Sequence, residues 1–154
     1  MTMHDFDDGC GPVPAHRHRN PGRAPGGWVA VSAHVDHTAT VAVDASVYGH
    51  ARVSDSAWVS DEARVCGHAT VAGQAVVAGR AVVYGRATVT DAARVVGDTT
   101  VCGKARVCGC AIVSGDAWVA GNAVVSEYAR VRGDTTVAGD ARVSGYALVT
   151  CGAV

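Results

Sequence analysis

The chain has 154 residues and a formal net charge of −1; 49% of it is hydrophobic but only 5% aromatic. Valine, alanine and 19 glycines supply the bulk, not the Leu, Ile and Phe that fill ordinary compact cores. So balanced a charge lacks the basic footprint of a nucleic-acid binder, and no run reaches the roughly 18 apolar residues that would insert a helix into a membrane.

Residues 1–26 differ in kind from the rest of the chain. All four prolines (Pro12, Pro14, Pro21, Pro25) lie there with the only Phe, and Asp5, Asp7 and Asp8 balance Arg17, Arg19 and Arg23. On composition such a segment buries too little apolar surface to offset its ordering entropy. The expectation is a disordered, solvated tail that can serve as a tether to another protein, its His16-Arg17-His18-Arg19 cluster available to a metal or an acidic partner. No apolar h-region of a secretory signal is present, which points to synthesis in the cytoplasm.

From Gly27 onward the chain divides into twenty-one hexads without an insertion, GWVAVS, AHVDHT, ATVAVD and so on to ALVTCG at 147–152. The third position is Val every time, from Val29 to Val149, and the first is Ala in eighteen hexads, with Gly27, Thr99 and Thr135 the exceptions. Ala-x-Val has period two, which puts both side chains on one face of a strand. The fifth position, mostly Gly and otherwise mostly Asp, then turns the chain through a left-handed backbone angle. Val31, Val43 and Glu127 fit that corner poorly. Helical spacing of three and four is absent.

A corner every six residues closes a three-walled coil after 18. Sixth-position residues taken every eighteenth do separate by chemistry. Asp44, Glu62, Arg80, Asp98, Asp116, Asp134 and Gly152 form a mainly acidic column; Ser32, His50, His68, Arg86, Lys104, Asn122 and Asp140 one with a cationic or imidazole stretch in its middle; Thr38, Ser56, Gln74, Ala92, Cys110, Tyr128 and Tyr146 an uncharged one. Residues 27–154 therefore read as a triangular solenoid of about seven coils, a prism roughly 34 Å long at strand spacing.

The [Ala/Thr]-x-Val-x-Gly-x run resembles the hexapeptide-repeat family, and Gly26-Gly27-Trp28-Val29 is similar to the opening of uncharacterised hexapeptide-repeat proteins from bacterial and prophage genomes. The resemblance implies an all-β, left-handed parallel β-helix and a trimeric assembly. In its acyltransferase members it implies an acyl-CoA co-substrate and a catalytic histidine at a subunit interface. His50 and His68, one coil apart, are the residues such a role would use here. No hexad is interrupted by the long loop that usually walls an acyl-donor groove, and no C-terminal helix follows.

The outward strand positions suggest a different role. One wall carries Trp28, Tyr48, Val82, Tyr84 and Trp118; another Trp58, Val76, Ile112 and Leu148. Two apolar flanks on a thin prism, with uncapped ends, point to lateral or end-to-end self-association. A homo-oligomeric scaffold, filament unit or virion component without a cofactor is the leading expectation, and an acyl-CoA-dependent acyltransferase the alternative. Asp98, Asp116 and Asp134, on successive coils, form a candidate cation ladder or a solvated acidic edge. The six cysteines show no zinc-ligand spacing, and free thiols are expected.

Overall fold

A computed structural model describes residues 2–154. The hexads form strands of two or three residues that pair in parallel 18 positions apart. Trp28 lies beside Ser46, Thr70 beside Thr88, and Val113 beside Val131. Three sheets result, one of ten strands and two of seven, winding through about seven coils. Wall one carries Trp28 to Thr136, wall two His34 to Arg142, and wall three Thr40 to Leu148 in the outward column. Among the described residues no helix is long and apolar enough to cross a membrane.

Every third-position Val from Val41 to Val137 is fully buried, and the first-position alanines line the interior beside them. Each such valine contributes about 1.5–3 kcal/mol by leaving water. Thr99 and Thr135 fill Ala positions at full burial because each hydroxyl donates to the carbonyl three residues back, at Val96 and Arg132. A threonine is tolerated there because its hydroxyl is satisfied locally.

The corners explain the fifth position. Positive φ runs unbroken at every sixth residue from Gly49 to Gly145, and includes Asp55, Asp61, Asp91 and Glu127. Glu127 thus takes the corner conformation with φ 60°, against expectation; Val31 and Val43, in the first coil, avoid it. The aspartates do more than tolerate the angle. Asp55, Asp61 and Asp91 accept the backbone N–H of Gly73, Gly79 and Gly109, the corner residues one coil on. At Gly97 a Cβ would lie 2.9 Å from the Gly115 carbonyl oxygen, so stacked corners are crowded as well as left-handed.

The N-terminal segment is ordered and joins the solenoid, which corrects the expectation of a disordered tail. Strand β1 (Thr2–His4) pairs antiparallel with β2 (Val13–Arg19), and β2 pairs antiparallel with β3 (Pro25–Ala30), the first strand of wall one. Beyond β2 the side chains take over from the backbone. Arg17 Nη1 donates to Val43 O at 2.9 Å, His18 Nε2 donates to Ala39 O at 3.0 Å, and the Asn20 amide both donates to Val41 O and accepts from Val41 N. The alternate carbonyls of Ala39, Val41 and Val43, in and beside the first strand of wall three, are thereby capped, so the chain covers its own edge on walls one and three. Composition misjudged the segment because the open coil supplies the apolar and hydrogen-bonding partners that the segment lacks alone. Phe6, Ala15 and His18 become buried.

Asp91→Ala, which keeps the strained angle and loses the bond to Gly109, should lower stability by about 1–2 kcal/mol in chemical denaturation, and Asp91→Gly by clearly less. Asn20→Ala leaves both Val41 backbone groups unpaired, a cost of about 1–3 kcal/mol. Tryptic cleavage after Arg17 and Arg19 should then accelerate while the melting of the coils changes little.

Candidate functional site

The parallel register turns each sequence column into a physical ladder with one side chain per coil. At the corner between walls one and two, the His50 and His68 rings stack 5.1 Å apart and 15° from parallel, both exposed. Among the described residues neither imidazole hydrogen-bonds a carboxylate. Arg86 and Lys104 continue the same edge. At the corner between walls three and one, Asp98 accepts a bidentate pair from Arg80, 2.7 Å from Nε and 2.8 Å from Nη2. The Arg80 guanidinium holds the Asp98 carboxyl below the usual carboxylate range. Asp116 and Asp134 follow on the next two coils. Among the described residues no three His, Cys, Asp or Glu side chains converge as metal ligands.

Wall one carries a second ladder that column chemistry alone did not single out, alternating Tyr48, Cys66, Tyr84 and Cys102. Tyr84 pairs with Cys102, which raises its phenol, and Trp118 Nε1 donates to the Cys102 sulfur at 3.2 Å. Burial pushes Tyr48 up to about 12, with the Cys66 contact adding to it, and burial also raises the Cys66 thiol. The signal was available as an alternation of Tyr and Cys every 18 residues.

The N-terminal segment covers the first part of this wall. His4 stacks on Trp28 with centroids 4.3 Å apart, Arg17 lies 4.6 Å from the same ring, and Phe6 stacks on Tyr48 at 4.7 Å. Of the side chains expected to meet another copy, Tyr48 is therefore buried and Trp28 half-buried under their own chain. Val76, Val82 and Ile112 are half-buried, whereas Tyr84, Trp118, Trp58 and Leu148 remain exposed, the last three at 50–53%.

Between the covering segment and the wall lies a cleft of about 480 Å³. Asp5, Asp7, Asp44 and Glu62 line it together with Arg17, Arg64 and Arg80, so it is polar and of mixed sign. His50 and His68 are not among its lining residues. The pair expected to act as acid or base thus sits on a convex edge, and the cleft lies at the other border of the same wall. The cysteines are free thiols.

A family model described as YdcK beta solenoid repeat matches residues 45–61 and 63–79. The two matches begin 18 residues apart, the spacing of the coils, and correspond to the second and third of them. No curated protein matches the chain. No solved structure matches it either.

Tyr48 provides a readout of the N-terminal cover. Its folded pKa lies above the ordinary 10, so the folded state retains a proton that the unfolded chain releases. Its contribution is complete below pH 10 and is lost as the pH rises towards 12. Spectrophotometric titration should show one tyrosine ionising near pH 12, and Phe6→Ala should bring it back towards 10.

Proposed function

We propose that the chain is a structural or assembly subunit, a β-solenoid scaffold that associates with further copies of itself as a filament unit or virion component. The observation that carries this reading is the set of large apolar side chains left exposed on two walls of a prism whose interior is already filled. Trp118 and Tyr84 stand on wall one beyond the reach of the N-terminal cover, and Trp58 and Leu148 on wall three. Aromatic side chains on a rigid face give much contact area at small entropic cost. Tyr128 and Tyr146, stacked 5.1 Å apart and exposed on the uncharged corner, extend the apolar border of wall three.

The regularity of the coils supports the same reading. A long sheet with a fixed repeat presents side chains at constant spacing, which suits a surface that must match another copy over many rungs. The N-terminal cover leaves the later coils of wall one as the apolar area on offer there.

Light scattering coupled to size exclusion, together with electron microscopy, tests the proposal across protein concentration. The native chain should form a defined oligomer or filament, and Trp118→Ala with Trp58→Ala should shift it to monomer with the melting temperature little changed, since both indoles are half exposed. A monodisperse native monomer at high concentration overturns it.

A further inference from the structure

Over four successive coils the edge between walls one and two gathers basic side chains without carboxylates. His50, His68, Arg86 and Lys104 occupy the corner itself, and Arg52 and Arg106 flank its two ends on wall two. All six are exposed. Among the described residues the ion pairs are His34–Asp36 and Arg80–Asp98, so none of the six is ion-paired within the chain. Asp140, two coils beyond Lys104 on the same corner, accepts from the Asn122 amide. Along wall two, Asp55 and Asp91 sit at the next corner and are committed to the backbone N–H groups of Gly73 and Gly109. Asp36, paired with His34, and Glu127 also lie towards the far side of wall two, and the remaining acids gather at the border of walls three and one and on the N-terminal cover. A chain of net charge −1 therefore carries one stretch of edge with four arginine or lysine cations, two imidazoles and no carboxylate.

The spacing of that edge selects its ligand. Basic side chains recur once per coil, about 4.8 Å apart along a straight line, and the stacked imidazoles are 5.1 Å apart. We infer that this edge binds a linear acidic polysaccharide, a polyuronate lying along the prism axis with its edge-facing carboxylates beside the basic groups. An extended uronate chain carries one carboxylate on each sugar, and in a two-fold chain those on alternate sugars face the same side. A duplex nucleic-acid strand advances about 3.4 Å along its axis per phosphate on a winding path, out of step with a straight ladder. An extended acidic peptide advances about 3.3 Å per residue and is out of step as well. Thr70 and Thr88, half-buried between Arg52 and Arg106, offer hydroxyl donors beside the track. Tyr84, exposed on the adjoining column of wall one two residues before Arg86, offers a ring for the apolar face of a sugar. Each cation–carboxylate contact is weak in water, and several in register add up through multivalency.

The test is calorimetric titration of the full chain with oligogalacturonate at low and moderate salt. Methyl-esterified oligomer, a single-stranded polyuridylate and anionic phosphatidylserine vesicles serve as comparison ligands. Oligogalacturonate should bind, weaken steeply with salt as counterions are released, and lose affinity when esterified. Arg86→Glu with Lys104→Glu should weaken binding more than about tenfold. Arg130→Glu with Arg132→Glu on wall three, which changes net charge equally, should leave it unaltered. All four side chains are exposed, and circular dichroism confirms that each variant is folded. No binding at low salt, equal loss in the wall-three variant, or tighter binding of polyuridylate or vesicles each overturns the inference. The proposed self-association shares Tyr84 with this edge but is tested at Trp118 and Trp58, and stands or falls separately.

Discussion

The structure depends on one constraint, a reversal of the backbone at every sixth residue that must stack on the reversal one coil away. A corner of positive φ is costly for most side chains, and here it is crowded too, since a Cβ at Gly97 would press on the carbonyl of Gly115. Glycine meets both demands. Aspartate meets the first imperfectly and compensates by accepting the N–H of the next corner, as Asp55, Asp61 and Asp91 do. Once the corners repeat without slippage, valine must lie over valine and alanine over alanine. The narrow interior then has no room for larger side chains, which explains a hydrophobic composition so poor in aromatic residues.

The same repeat turns outward positions into ladders whose chemistry is set by column rather than by neighbourhood in sequence. Cations collect on one edge, carboxylates on another, and tyrosines and cysteines alternate along wall one. A ladder of like charges on a rigid frame cannot relax by rearranging the backbone; it is neutralised by a side chain one coil away, as Arg80 does for Asp98, or by something outside the chain. The cationic edge has no internal partner of this kind among the described residues, and that asymmetry gives it a separate meaning from the apolar walls.

The N-terminal segment shows how a solenoid deals with its exposed edge. Two strands add to wall one in antiparallel sense, and three side chains continue the capping along wall three where the backbone no longer runs close enough. His18 and Arg17, which resemble a basic cluster awaiting an acidic partner, spend their donors on backbone carbonyls. The cost falls on the recognition surface: Tyr48 and Trp28 are taken up by Phe6, His4 and Arg17, and the exposed aromatic area moves to the later coils.

Much of the fold was legible in the sequence because a hexad carries its structural instruction locally: period two for the strand, a small or acidic residue for the corner, valine for the interior. From these alone the 18-residue coil, the three walls, the buried columns and the neighbours of His50, His68 and Asp98 could be read. The N-terminal cover could not, because Val13, Ala15, His18 and Asn20 acquire their roles only from the edge they meet. Nor could the corner angle of Glu127, which the stacked coils impose on a residue that would avoid it in isolation. Local pattern determined what repeats. Tertiary structure decided which exposed groups remain free, since that depends on surfaces brought together across many residues of chain.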